Sequence, residues 1–362
     1  MKWFSWTAWA SLLIVISVIA YSIGYQKVQE LLLPTFSYEL TFHPIDRSSQ
    51  NFELPTRTVT IGMAGDVLLH KDLNNYEDYR PSFSGVREMT QSLDFFLINL
   101  ESLAAGEAFE LSGYPNFNST DTIVDGLVDL GSDLVMVSNN HTLDKRAAGL
   151  RQSLANLQAR DLPYVGAYAS EKDAATKRIF EVDALTIGVV SYTYGLNGHI
   201  VPADQPYLVD LIDVAKIQSD IRDLDAEVDL VIALMHWGTE YELEENEEQN
   251  YLATIAHQAG ADIIFGGHPH VLQPYEVMES GDKKTHIFYS LGNFFSGQTI
   301  ENTNYGGVAV LSVETDGDDI LAIEPSFYPT EVTFTPDRVV VNPMPESQAS
   351  FWTNHIGVPL YE

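Results

Sequence analysis

The stretch IIFGGHPHVLQPYE (263–276) carries two histidines, His268 and His270, one residue apart, directly after an apolar run closed by two glycines. One histidine past a strand is an ordinary turn or core residue, so the pair needs support from elsewhere in the chain. Four other apolar runs supply it. TVTIGMAGD (58–66) ends in Asp66, LDFFLINLE (93–101) in Glu101, and DLVMVSNNH (133–141) in Asn140 and His141, while DLVIALMHWG (229–238) holds His236 near its close. Carboxylates, an amide carbonyl and imidazoles form the mixed oxygen and nitrogen donor set of hydrolytic sites that hold one or two divalent ions. Asp66, Glu101, Asn140, His236, His268 and His270 are therefore the expected metal ligands. Mn, Zn, Fe or Mg would each suit them. The chain has no cysteine, which excludes thiolate ligands, disulfides and thiol catalysis. His141, beside Asn140, is placed to meet substrate and to act as a general acid. Asp144, three residues on, either orients that imidazole or sits as a carboxylate at a helix N-terminus.

These donors share a site only if the runs that carry them end at one edge. The runs alternate with amphipathic segments at 119–131, 147–161, 211–227 and 247–260, and the pattern continues through LTIGVVSYTYG (185–195) and HIFYSLGNF (286–294). Such alternation predicts an α/β architecture with largely buried strands. In open α/β sheets ligands bind beyond the carboxyl ends of the strands, which is where each donor falls. From about Gly306 the pattern changes to strands separated by turns, without helices between them: GGVAVLSVET, DILAIEPSFYP, EVTFT and RVVVNP. The expected division is a membrane anchor over 1–26, a juxtamembrane linker over 27–56, the main domain over 57–300, and a β extension over 301–362 that completes it.

Residues 3–25 contain no charged side chain. As a helix they would run about 34 Å, enough to cross a hydrocarbon core of about 30 Å. Trp3, Trp6 and Trp9 at one end and Tyr21 and Tyr25 at the other suit the two interfaces. Val18-Ile19-Ala20 offers a cleaved signal peptide as the competing reading, against which the length and the second aromatic belt weigh. Either way the domain is expected outside the cytoplasm, and with the anchor uncleaved it is held on the cell membrane through a single span. Fifty-one acidic residues against 19 basic ones give a formal net charge of −32, which disfavours nucleic acid as a partner because phosphate neutralisation needs clustered Lys and Arg.

Taken together, GMAGDVLLH, INLES, VSNNHTLD, MHWGTEYE, FGGHPHVLQPYE and YSLGNFFSGQ resemble, in order and over roughly residues 57–300, the motifs of the CapA family of poly-γ-glutamate capsule proteins, which is related to calcineurin-like metallophosphoesterases. The resemblance implies a four-layer αββα sandwich. It also implies Asp66 at one metal, Glu101 where a bridging carboxylate is wanted, Asn140 as ligand and His141 as catalytic acid, with His236, His268 and His270 completing the set. One position departs from the wider phosphoesterase pattern: the histidine usual two residues after the first aspartate is here Leu68, with His70 nearby. Glu240, Tyr241 and Asn293 fall at the same edge as candidates for substrate contact or ligand support. His43, His199, His257, His286 and His355 have no partner pattern and read as surface or core histidines.

The expected function is a membrane-anchored, extracytoplasmic CapA-type protein that supports synthesis, export or anchoring of a polyglutamate-like capsule. Its metal centre would act on an anionic polymer or surface intermediate. Other capsule-synthesis membrane subunits are implied by the resemblance alone. Two alternatives stand beside this: a metal-dependent phosphoesterase unrelated to capsule, and a non-catalytic assembly protein on the same scaffold.

Overall fold

The computed structural model describes residues 56–316 and 319–361. The stretch 3–25 expected to form the anchor, and all of the linker but Thr56, lie outside the described residues. Among the described residues no helix is long and apolar enough to cross a membrane.

Two sheets make the fold. In the first, β1 (Arg57–Leu68) lies at the centre, parallel to β2 (Phe95–Leu100), which is followed outward by β3 (Leu134–Met136) and β4 (Tyr164–Val165). The second sheet has β6 (Leu185–Thr193), β7 (Leu230–His236), β8 (Ile263–Gly267) and β10 (Lys283–Phe288) in parallel, edged by antiparallel β5 (Arg178–Val182) and β9 (Tyr275–Ser280). The parallel strands read as unbroken apolar runs because both of their faces are covered. Successive side chains point to opposite faces, so Phe95 and Leu97 enter one apolar cluster while Phe96 and Ile98 enter another.

The first of those clusters lies between the sheets, where Ile61, Met63 and Leu97 meet Ile187, Ile232, Leu234 and Phe265. Behind the first sheet, Phe96, Ile98 and Val135 pack on α1 (Thr122–Asp129) and α2 (Arg146–Gln158) through Ile123, Leu127, Leu150 and Leu154. Behind the second, Val231, Ala233, Met235 and Ile264 pack on α3 (Val214–Asp225) and α4 (Glu247–Ala259) through Ile217, Ile221, Leu252 and Ala256. The result is a mixed α/β two-sheet fold with helices against both outer faces. The Glu-rich segment near 242–248 is what it reads as, a loop leading into the start of α4, where Asn246 and Gln249 form a capping box.

Two expectations about the chain's later part are corrected. HIFYSLGNF is not one strand: it divides into β10 of the second sheet and β11 (Asn293–Ser296), which crosses to pair in parallel with β1 of the first. Gly292, at φ 63, makes that crossing, and its carbonyl accepts the Asp66 amide at 2.9 Å. A side chain there would meet the Tyr305 carbonyl at 2.5 Å, so close approach as well as conformation requires glycine. The tail forms antiparallel strands β12 (Tyr305–Thr315), β13 (Ile320–Phe334) and β14 (Val339–Pro343), with DILAIEPSFYP and EVTFT merged into the single β13. It then adds a helix the sequence reading omitted, α5 (Glu346–Ile356), whose Ala349, Trp352 and Ile356 fill the cluster between the sheets. Their i, i+3, i+7 spacing and the closing Gly357 at φ 90 are the helix signals.

Candidate metal centre

The carboxyl ends of β1, β2 and β3 from one sheet and of β7 and β8 from the other meet at one edge. Asp66, fully buried, joins the two sheets: its Oδ1 accepts the Asn99 amide at 2.7 Å, and its Oδ2 accepts the His268 backbone N–H at 3.2 Å and His270 Nδ1 at 3.0 Å. The loop after β8 holds its histidines in unusual conformations, with φ 98 at His268 and 60 at His270. Non-glycine residues in that region are strained by on the order of 1 kcal/mol each, and such strain concentrates at functional sites. Gly267 precedes them because any side chain there would fall 2.6 Å from Asp66 Oδ1.

Glu101 lies between the sheets' contributions. Its Oε1 is 3.4 Å from His236 Nε2 and its Oε2 is 3.8 Å from His270 Nδ1, yet among the described residues neither oxygen has a hydrogen-bond donor. His268 Nδ1 is likewise buried without a partner. An unpaired buried carboxylate costs several kcal/mol unless something cationic compensates it. The residues around it could hold such a cation. Asp66, Glu101 and His270 form one set whose ligand atoms lie within 4.8 Å of one another, Glu101, His236 and His268 form a second, and Glu240, His268 and His270 a third. The first two sets share Glu101, so these residues would suit one or two divalent ions.

The protonation states agree with this. Burial pushes Glu101 up to about 8. Burial pulls His236 down to about 3, and burial with the neighbouring imidazoles keeps His268 well below the usual range, so both are neutral and able to ligate. Burial opposes the charged forms of Asp66 and His270 as well, but their mutual hydrogen bond and neighbouring charges win: Asp66 falls below its ordinary value and His270 rises to about 9. Without a metal, His270 and Glu101 both hold protons near neutral pH, and Asp66 is the charged carboxylate that faces His270.

His141 stands beside this set in its own frame. Its Nδ1 bonds Asp144 Oδ2 at 2.7 Å, and Asp144 also accepts the Phe117 backbone N–H. The short contact to a carboxylate fixes a ring proton on Nδ1 and leaves Nε2 as the nitrogen open to another partner. Phe117 packs edge-on against the imidazole, with ring centroids 4.6 Å apart. Asn140 Oδ1 lies 3.0 Å from His236 Nε2; from the loop after β6, Asn197 Oδ1 accepts the Asn140 amide at 3.3 Å and Asn197 Nδ2 lies 3.5 Å from His141 Nε2. A divalent cation in such a donor set supplies Lewis acidity toward an acyl or phosphoryl oxygen and lowers the proton affinity of water. The chain's own groups at this edge are Asn140, His141 held by Asp144, and Tyr194, whose ring centroid is 4.5 Å from that of His268.

The structure brings Asp66, Glu101, Asn140, His141, Asp144, His236, His268 and His270 to this edge. Glu240 joins through the third set from an exposed position. Tyr241 lies 6.2 Å from the His270 ring. Asn293 sits opposite Asp66 in the β1–β11 register, but its amide is committed to Gln298 Oε1 and the Thr303 carbonyl. His70 belongs to none of the three ligand sets; its Nδ1 is 3.2 Å from the Leu68 carbonyl and its ring rests on Phe117. Leu68 itself is buried. The sequence reading missed Asn99, Asn139, Tyr194 and Asn197, and it left His199 as an isolated histidine. In fact His199 Nε2 lies 3.9 Å from Asp144 Oδ1. Asn99 is legible in hindsight, two residues before Glu101 on the same face of β2; Asn197 and His199 come from an irregular loop that carries no such signal.

Two curated relatives match: PGA biosynthesis protein CapA of Bacillus subtilis, 32% identical over 210 residues (55% of this chain and 52% of the relative), and capsule biosynthesis protein CapA of Bacillus anthracis, 29% identical over 214 residues (58% and 51%). The chain thus spans about half the length of the curated relatives it matches. Among solved structures, a candidate 5′-nucleotidase of Staphylococcus aureus superposes at TM-score 0.48 with 16% identity, over 82% of this chain and 58% of that one. The 5′-nucleotidase of Candida albicans superposes at 0.42 with 14% identity, over 84% and 56%. The model of the bacterial capsule synthesis protein family, PGA_cap, matches residues 60–298, a span that begins in β1 and ends just past β11 and takes in every ligand candidate above; the chain belongs to that family.

Proposed function

We propose that this chain is a CapA-type capsule protein whose metal centre acts on an anionic, poly-γ-glutamate-like polymer or on its attachment to the cell surface. The observation that carries the reading is Glu101, a buried carboxylate with both oxygens unpartnered and imidazoles on two sides, in a chain of the capsule synthesis family. Such a carboxylate is costly to keep unless a cation uses it. His141, oriented by Asp144, serves as the acid that protonates a departing amine or alkoxide. In this reading the segment 3–25 anchors the domain on the outer face of the cell membrane and the fold is the four-layer αββα sandwich of metallophosphoesterases. Partner membrane subunits would deliver or receive the polymer.

The test combines metal content with polymer chemistry. The full-length protein, loaded with Mn or Zn, is incubated with poly-γ-glutamate and the chain-length distribution is followed. Expected is a metal-dependent change in length or end groups that E101Q and H141A abolish. A protein that takes up no metal sinks the reading in favour of a non-catalytic assembly role. Turnover of simple phosphodiesters with none of the polymer favours the phosphoesterase alternative, for which the His141–Asp144 pair is equally suited.

A further inference from the structure

Five of the described arginines, Arg57, Arg80, Arg87, Arg160 and Arg178, each hold an aspartate, while Arg151, Arg222 and Arg338 do not. Arg146 also has no such partner, and of these four it is the one that reaches the site. It is exposed, and among the described residues no carboxylate pairs with it. Its guanidinium instead donates through Nη1 to His199 Nδ1. That contact makes His199 a neutral acceptor on one side and leaves its Nε2–H to face Asn116 Oδ1 at 3.3 Å and Asp144 Oδ1 at 3.9 Å. Asp144 in turn orients His141. Arg146 thus adjoins the frame that positions the candidate acid, linked to it by its hydrogen bond to His199, the 3.9 Å approach of His199 to Asp144, and the Asp144–His141 hydrogen bond.

The backbone makes the same point independently. Arg146 adopts φ 61, with its N–H bonded to the Leu143 carbonyl at 2.8 Å, just three residues after the buried Leu143 and two after Asp144. A long side chain in the left-handed region is strained by on the order of 1 kcal/mol, where glycine or asparagine would sit at lower cost. What the fold gains for that strain is the direction of one guanidinium, which reaches the 194–199 loop beside the site. An always-charged planar group with free donors is suited to a carboxylate or phosphate.

We propose that Arg146 is the specificity-determining cation of the site, and that it binds an anionic group of the substrate about one repeat unit away from the bond placed at His141. This rests on the reading of an anionic polymer substrate; in poly-γ-glutamate each repeat carries one free carboxylate. It also resolves a tension in the charge of the chain, because a surface of net charge −32 repels a polyanion except where an unpaired cation and a metal centre stand together.

The experiment uses full-length, metal-loaded protein and measures binding of a fluorescent oligo-γ-glutamate by anisotropy at low salt, with a glycerol-phosphate oligomer as the second arm. Arg146→Gln should weaken oligoglutamate binding at least fivefold, and Arg146→Lys should recover part of the loss, while metal content and thermal midpoint stay at the wild-type values. Unchanged affinity in Arg146→Gln overturns the proposal. So does a loss accompanied by falling metal content, which would make Arg146 a structural residue. If the wild type binds only the phosphate oligomer, and does so through Arg146, the anion-recognition role stands and the polyglutamate reading falls. If it binds neither, both fall.

Discussion

Replacing Glu101 by glutamine should stabilise the metal-free protein and at the same time remove its ability to be stabilised by metal. The sign follows from burial. Below the ordinary carboxyl value of 4.5, Glu101 is protonated in both folded and unfolded chains and costs nothing extra. Between 4.5 and about 8 the unfolded chain has lost that proton while the folded chain keeps it, so stability falls as pH rises through this window, and above about 8 the whole penalty is present. At 1.36 kcal/mol per pH unit the gap amounts to about 5 kcal/mol. The attraction of His270 is already contained in that value, since it lowers Glu101 while burial raises it. The variant is therefore favoured by a few kcal/mol at pH 8.5, where Glu101 is largely ionised in both states, and by close to none at pH 4.5.

Urea denaturation of chelator-treated protein at pH 5 and pH 8.5 reads this directly. E101Q should exceed the wild type by a few kcal/mol at the higher pH, several degrees in melting temperature, and match it at the lower. Adding excess Mn or Zn should reverse the order, raising the wild-type midpoint and leaving that of E101Q in place. A variant less stable than wild type without metal at pH 8.5, or one that keeps the full metal-induced rise, would refute the claim that this carboxylate is held in a costly state for a cation.

Three further outcomes are expected. Metal uptake at pH 7 should release protons, because His270 at about 9 and Glu101 at about 8 both hold them there; calorimetry in two buffers of different ionisation enthalpy measures the number, and buffer-independent heats count against the assignment. Gly267→Ala should lower metal occupancy and cost about 1–3 kcal/mol, since its methyl group would meet Asp66 Oδ1 at 2.6 Å, whereas Gly195→Ala, with open space around it, should leave both unchanged. Asp144→Asn should keep the metal but reduce metal-dependent turnover by about 10²-fold or more through loss of the His141 orientation, and unaltered turnover would remove Asp144 from the mechanism.

How much of this was legible in the sequence depended on the kind of signal each feature leaves. Strands buried on both faces write long apolar runs, so the ends of β1, β2, β3, β7 and β8 could be located, and with them the donors Asp66, Glu101, Asn140, His236 and the His268–His270 pair. Features set by long-range geometry leave no such trace. HIFYSLGNF looks continuous because apolarity does not record that Gly292 hands the chain from one sheet to the other. His199 looks isolated because its partners Asp144 and Arg146 lie more than 50 residues away and meet it across an irregular loop. The helix α5 was missed for a different reason: its spacing was visible, but the strand pattern before it was extended too far.

Leu68 is where sequence and structure bear most directly on each other. In sequence, the absence of a histidine there leaves the first aspartate short of a neighbouring ligand. In the fold, position 68 is buried, and Asp66 is met from the opposite sheet by His270 at 3.0 Å. His70, the near substitute, turns to the Leu68 carbonyl and Phe117 instead. The two donor sets that share Glu101 are each complete at three residues without position 68, since one closes with Asp66 and His270 and the other with His236 and His268. A centre assembled from both sheets in this way depends on their packing rather than on one loop, so substitutions that loosen the cluster between the sheets should cost metal affinity even when they lie far from any ligand.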